Sequence, residues 1–192
     1  MSATLTAPPP AKLTPDDLLR LPDGGKGFEL VGGEFRELNV SYLSTYIAGE
    51  VFGQLRDHVR PRGLGWVSPE GVSYRCFPHE PGKVRRADVS FHALGRLTAA
   101  RAEAEGFCTV VPDLVVEVVS PNDLADDVNE KRIEWLAAGA RLVWVVHPVQ
   151  QTIHAYRADG TVGLFARADT LTADPVLSDF RTPVADLFRL PA

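Results

Sequence analysis

One stretch constrains the fold more than any other: Leu114-Val115-Val116-Glu117-Val118-Val119, five aliphatic residues around a single carboxylate. β-branched side chains suit a pleated surface, and a run without polar alternation has no face to give to water. It predicts a central strand covered on both sides. Ser120-Pro121-Asn122-Asp123 breaks the run, and helical spacing resumes through Leu124, Val128, Trp135 and Leu136 until Gly139. Leu142-Val143-Trp144-Val145-Val146 is a second apolar strand, closed by His147-Pro148.

The flanking chain supplies the remaining layers. Thr14-Pro15-Asp16-Asp17 starts a short helix, with Thr14 as cap, proline at the first helical position and two acids at the positive end of the dipole. Gly32-Gly33 between 28–31 and 34–38 predicts a hairpin, because both glycines accept positive φ. Leu43, Ile47, Val51, Leu55 and Val59 recur every fourth residue and predict a long helix ended by Pro61 and Gly63. Strands are expected over 66–67, 71–77 and 84–91, a helical or looped stretch over 96–105, and a hairpin of 151–156 with 162–165 across Asp159-Gly160. The remainder, to residue 188, is expected to pack back on the sheet. The fold class is α/β (α+β): a mixed sheet flanked by helices, with additional hairpins.

At 192 residues the chain suits one domain, read over 14–190 behind a proline-rich, disordered lead-in over 1–13. Twenty basic against 25 acidic residues give a net charge of −5, so a polyanion would have to be met by a local patch. Cys76 and Cys108 form no C-x-x-C or Cys/His pattern, which argues against a disulfide framework or a zinc site. With no apolar run of membrane-spanning length and no secretory layout at the N-terminus, the expectation is a soluble, cytoplasmic protein.

Glu117 is the chemical anomaly. A carboxylate flanked by valines costs several kcal/mol unless it is paired or binds a metal. Asp88 is a second acid in an apolar strand, pointing away from the Val89 face. If the two strands are neighbours, the acids face one another, and such a pair either shares a proton or clamps a hard cation such as Mg²⁺ or Mn²⁺. Blander satisfaction is also open: Arg85 or Arg86 for Glu117, a loop amide for Asp88. Lys131, one of four lysines beside 16 arginines, follows on the next helix, either to stabilise a transition-state oxyanion or as a solvated i, i+4 partner of Asp127. Glu29 could reach the same cleft or simply face water. No nucleophile elbow, dinucleotide fingerprint or P-loop occurs.

The order of these residues resembles a known family. Phe28-Glu29-Leu30-Val31-Gly32-Gly33-Glu34 is followed by Arg86-Ala87-Asp88-Val89, then by Pro112-Asp113-Leu114-Val115-Val116-Glu117-Val118-Val119-Ser120-Pro121-Asn122. Asp126-Asp127, Lys131, Ala138-Gly139-Ala140, the Trp144 strand, Leu177-Ser178-Asp179-Phe180-Arg181 and Val184-Ala185-Asp186-Leu187-Phe188 complete the series. From about 14 to 188 the chain resembles the Uma-two family, described as putative restriction endonucleases, and through it the PD-(D/E)XK nuclease-like fold.

That resemblance implies a metal-dependent endonuclease acting on DNA phosphodiesters. Asp88 and Glu117, with the backbone carbonyl of Val118, would hold Mg²⁺ or Mn²⁺. Val119 stands where a lysine is expected two residues after the acid, and the resemblance implies that Lys131 takes over that role while Glu29 completes the acidic cluster. Other departures are Ala87 for a usual proline, Ser44 or a neighbour in the region of a usual histidine, and His147 for a usual aspartate. DNA contact would fall to Arg56, Arg60 and Arg62 or to Arg85 and Arg86, and a homodimer is expected to supply specificity. A module that keeps the fold without cutting, and a hydrolase of a smaller phosphoester, are the rival readings.

Overall fold

The computed structural model describes residues 11–191; most of the lead-in read over 1–13 lies outside the described residues. In chain order the elements are α1 (Pro15–Leu19), β1 (Phe28–Val31), β2 (Glu34–Glu37), α2 (Tyr42–Arg62), β3 (Gly65–Pro69), β4 (Ser73–Tyr74), β5 (Arg85–Arg86), β6 (Val89–Ala93) and α3 (Ala99–Ala102). Then follow β7 (Leu114–Val118), α4 (Ala125–Ala138), β8 (Leu142–His147), β9 (Thr152–Arg157), β10 (Val162–Phe165), β11 (Thr170–Ala173), β12 (Leu177–Pro183) and α5 (Val184–Leu187).

Six strands form the central sheet in the order β10-β9-β8-β7-β6-β3. The β7–β8 pair is parallel and the others antiparallel, so the sheet is mixed and the valine run lies near its middle. The parallel pair needs a crossover, and α4 provides it.

Alternation along the strands sorts the two faces. Val89, Phe91, Leu114, Val116, Val118, Trp144, Val146 and Ile153 turn one way and pack under Ile47, Val51, Leu55 and Val59 of α2. Val115, Val143 and Val145 turn the other way, against Trp135 of α4 and against Tyr74 and Phe77. Since Val116 and Val118 belong to α2, Glu117 belongs to α4. The sheet's register thus fixes which helix must satisfy it.

Several local expectations are corrected. The strand expected over 71–77 is mostly loop around β4, whereas the one expected over 84–91 forms but is split at Ala87-Asp88 into β5, which pairs with β4 as a two-residue ladder, and β6. The interruption moves the chain from the small ladder to the central sheet at Asp88. The tail forms the β11–β12 hairpin and α5, and Leu171, Ala173, Phe180, Val184 and Leu187 enter the α2-side core. Ser41 and Ser44 make a reciprocal capping box for α2, so Ser44 is a capping residue. Among the described residues no helix is long and apolar enough to cross a membrane.

Candidate active site

The acids meet at one end of the sheet. Val89 pairs with Val116, which places Asp88, just before β6, beside Glu117, the penultimate residue of β7. Asp88 holds its position through two backbone contacts: its amide donates to Val116 O (3.1 Å) and its Oδ2 accepts from Val118 N at 2.6 Å. A nearby amide does bind Asp88.

Glu117 is satisfied from α4, not by Arg85 or Arg86. Lys131 Nζ donates to Oε2 at 2.9 Å and Trp135 Nε1 to Oε1 at 2.8 Å. Residues four apart share a helix face, so one turn of α4 serves both oxygens of a single carboxylate. Lys131 Nζ also lies 3.2 Å from Glu29 Oε1. The solvated pairing of Lys131 with Asp127 is therefore overturned, and Asp127 instead lies near Arg36. Trp135 was legible only as an apolar helix residue; its i, i+4 relation to Lys131 was the signal for its second role.

Glu29, on β1, comes to the same place and is buried. Arg86 N donates to its Oε1 (2.8 Å) and Arg85 NH1 to its Oε2 (2.9 Å). Arg85 is itself buried and bonds Glu134 (2.7 Å) and Glu130 (3.3 Å), while Lys83 binds Glu134 from behind. Arg86 spends its guanidinium on the carbonyls of Phe28, Gly71 and Gly25. Neither arginine is a free contact for a polyanion. Arg56, Arg60 and Arg62 lie at the C-terminal end of α2, where Arg56 pairs with Asp57 and Arg62 with a carbonyl. Gly63 and Gly65 sit beside them, and Gly65 pairs with Ala93, at the opposite end of β6 from Asp88. That cluster is remote from the acids.

Glu29, Asp88, Val118 and Lys131 line a cleft of about 140 Å³, together with Glu70 and Asp123. Glu117, buried at its back, is reached through Lys131. Burial first, and then the Glu117 charge, push the Asp88 carboxyl up to about 7. Burial likewise raises Glu117, with Glu29 adding and Lys131 opposing. Burial works against ionised Glu29 too, but Lys131 and Arg85 prevail and hold it below the usual carboxylate range. Burial alone would depress Lys131; Glu117, Glu29 and Asp88 together raise it instead, so it stays an ammonium.

Three carboxylates therefore share one ammonium, and the two on the sheet are left short of positive charge. Among the described residues no three His, Cys, Asp or Glu side chains converge as a ready-made metal cage. The donor set is nevertheless all oxygen, with a charge deficit that a hard divalent cation would relieve, and Mg²⁺ commonly binds through one or two carboxylates and waters. The residues present fit such an ion.

The chain is thus a mixed sheet flanked by helices, with two acids side by side at one end of neighbouring segments. A crystal structure from Anabaena variabilis, described as that of a putative nuclease belonging to DUF820, superimposes with a TM-score of 0.76 at 20% identity, over 92% of this chain and 97% of that one. The family model Uma2, "Putative restriction endonuclease", matches residues 15–185, and the chain belongs to that family. No curated protein matches the sequence.

Proposed function

We propose that this protein is a metal-dependent endonuclease that hydrolyses DNA phosphodiesters. The observation that carries the reading is the convergence of Asp88, Glu29 and Lys131 on one cleft, with Glu117 buried behind it and bound to Lys131. Asp88 and Glu117, with the Val118 carbonyl, would hold Mg²⁺ or Mn²⁺; such an ion activates water and offsets charge on the phosphoryl oxygens. Lys131 would yield Glu117 Oε2 to the cation and place its ammonium against the phosphate. Glu29, kept ionised by Arg85 and the Arg86 amide, tethers Lys131 within the cleft. Trp135 fixes the carboxylate rotamer of Glu117 by holding Oε1. The expected partners are DNA and a second copy of the chain.

The test is cleavage of plasmid and single-stranded DNA with Mn²⁺ or Mg²⁺ at low salt, comparing wild type with Asp88→Ala, Glu117→Ala and Lys131→Ala. Metal-dependent cutting lost in both acid variants supports the assignment. No cutting, with no metal heat by calorimetry, supports a binding module on a nuclease fold, the reading that Val119 in place of a strand lysine favours. Preferential turnover of a small phosphodiester over DNA would move the substrate class.

A further inference from the structure

Helix α4 packs over β7 and β8, but the sheet continues through β9 and β10. The step beyond the helix is a second groove of about 370 Å³, on the other flank of α4 from the cleft. His147, His154 and Tyr156 floor it, and Asn129 and Arg132 wall it. Asp123 lines both grooves, so the two meet at the start of α4.

Arg132 differs from the other arginines around the cleft. Arg36 and Arg85 are neutralised by acids and Arg86 is absorbed by carbonyls. Arg132 binds the neutral Asn129 side chain through Nε (3.1 Å) and NH2 (2.5 Å), and its guanidinium lies 4.4 Å from the centre of the Tyr156 ring. Among the described residues no carboxylate forms an ion pair with it. Its position is fixed while its charge is not cancelled, the condition in which a cation is prepared for an anion.

Beside it, Val145 pairs with His154 and His147 with Thr152, which makes the two histidines diagonal neighbours on one face of the sheet. Their ring centres are 4.8 Å apart, and His154 Nδ1 lies 3.4 Å from Tyr156 Oη. Two imidazoles this close repel when both are charged, unless an anion lies against them. The shared Asp123 corner gives an extended substrate with one phosphodiester in the cleft a path toward these groups.

We propose that this groove is a subsite for a phosphate flanking the scissile one, held by Arg132 with His154 and His147. The inference rests on the cleft being a phosphodiesterase site, and it names the segment of substrate that the acidic cleft cannot itself attract.

The test measures binding separately from cutting. A short labelled single-stranded oligodeoxynucleotide is titrated, in Ca²⁺ and in EDTA, with wild type, Arg132→Ala, His154→Gln and the remote control Arg60→Ala, and read by fluorescence anisotropy. Arg132→Ala should weaken binding about tenfold or more, as befits a lost charged hydrogen bond, His154→Gln less, and Arg60→Ala not at all. Histidine-ring NMR with thymidine 5′-monophosphate should shift His147 and His154 and leave buried His92 in place. Equal affinity of wild type and Arg132→Ala with unmoved rings overturns the subsite, as does absence of oligonucleotide binding by wild type. Binding that depends on Arg132 in a protein that never cuts keeps the groove and removes the nuclease; cutting with KM unchanged in Arg132→Ala does the reverse.

Discussion

The two faces of the central sheet are made by the same strands, and along β6 and β7 their chemistry diverges. Toward α2, β6 and β7 present Val89, Phe91, Leu114, Val116 and Val118, all aliphatic or aromatic. Toward α4, the intervening positions of the same segments are Asp88, Ser90, His92, Val115 and Glu117. One residue of register separates the face that holds the molecule together from the face that holds its charges. The division allows a costly cluster of acids, because the apolar face does not depend on it.

The largest expected effect breaks the comparison on the polar side. Glu117→Gln keeps the side chain's shape and removes its charge, and should lower metal-dependent cleavage by more than about 100-fold, since metal-site perturbations even outside the ligand sphere reach that size. Its melting temperature should fall less than that of a variant lacking the Lys131 ammonium, because burial already disfavours the ionised form of Glu117 and Lys131 keeps Glu29 as a partner. Thermal unfolding of the variant alongside the cleavage assay checks both halves. A large loss of stability would contradict the division.

On the apolar side the outcome inverts. Trp144 is fully buried against Phe180, ring centres 5.8 Å apart. Trp144→Ala should cost about 3–5 kcal/mol by urea unfolding, with cleavage per folded molecule preserved. If instead activity falls at full occupancy of the native state, the two faces are mechanically coupled.

Lys131 belongs to both accounts, since it offsets two buried carboxylates and reaches the cleft. Lys131→Met should cost up to about 3 kcal/mol, the low end for breaking a buried pair, because the side chain keeps some contact with water. Combining it with Glu117→Gln should recover much of that loss, whereas activity stays absent. Urea titration of the single and double variants closes that cycle.

How much of this was legible in the sequence follows the same division. The valine run, the α2 spacing and the Gly32-Gly33 and Asp159-Gly160 hairpins are written in local periodicity. Periodicity also placed Glu117 in a central strand. It could not say which cation would satisfy it, because Arg85, Arg86 and Lys131 are all near in sequence or expected topology, and only the packing of α4 selects Lys131 and Trp135. Arg85 looked like a DNA contact because exposure is the ordinary state of arginine; its burial depends on Glu29, Glu130 and Glu134 arriving from two other elements. The β11–β12 hairpin escaped because β11 is short, both strands are mixed in polarity and the core beneath holds them.

The most selective effect expected concerns the pH dependence of stability. Burial and the Glu117 charge push the Asp88 carboxyl up to about 7, against 3.8 for an ordinary aspartate. Between those values the native state keeps a proton that the unfolded chain has released, so stability falls as pH rises through about 4 to 7 and is level in this respect above. Glu29 acts in the other direction: its depressed value contributes stability that is present above its ordinary 4.5 and lost as pH falls. Glu117, raised as well, adds to the Asp88 slope, while the Glu29 slope lies at lower pH, so a single unfolding curve merges the contributions. Asp88→Asn separates them, because the Glu29 contribution is common to both proteins. The stability of the variant minus that of wild type should be constant below about pH 4, grow toward pH 7 and then stop growing, as read from urea midpoints across that range. A difference that is flat throughout would mean that Asp88 is ionised in the native cleft at neutral pH, and that Lys131 already supplies the charge assigned here to a divalent ion.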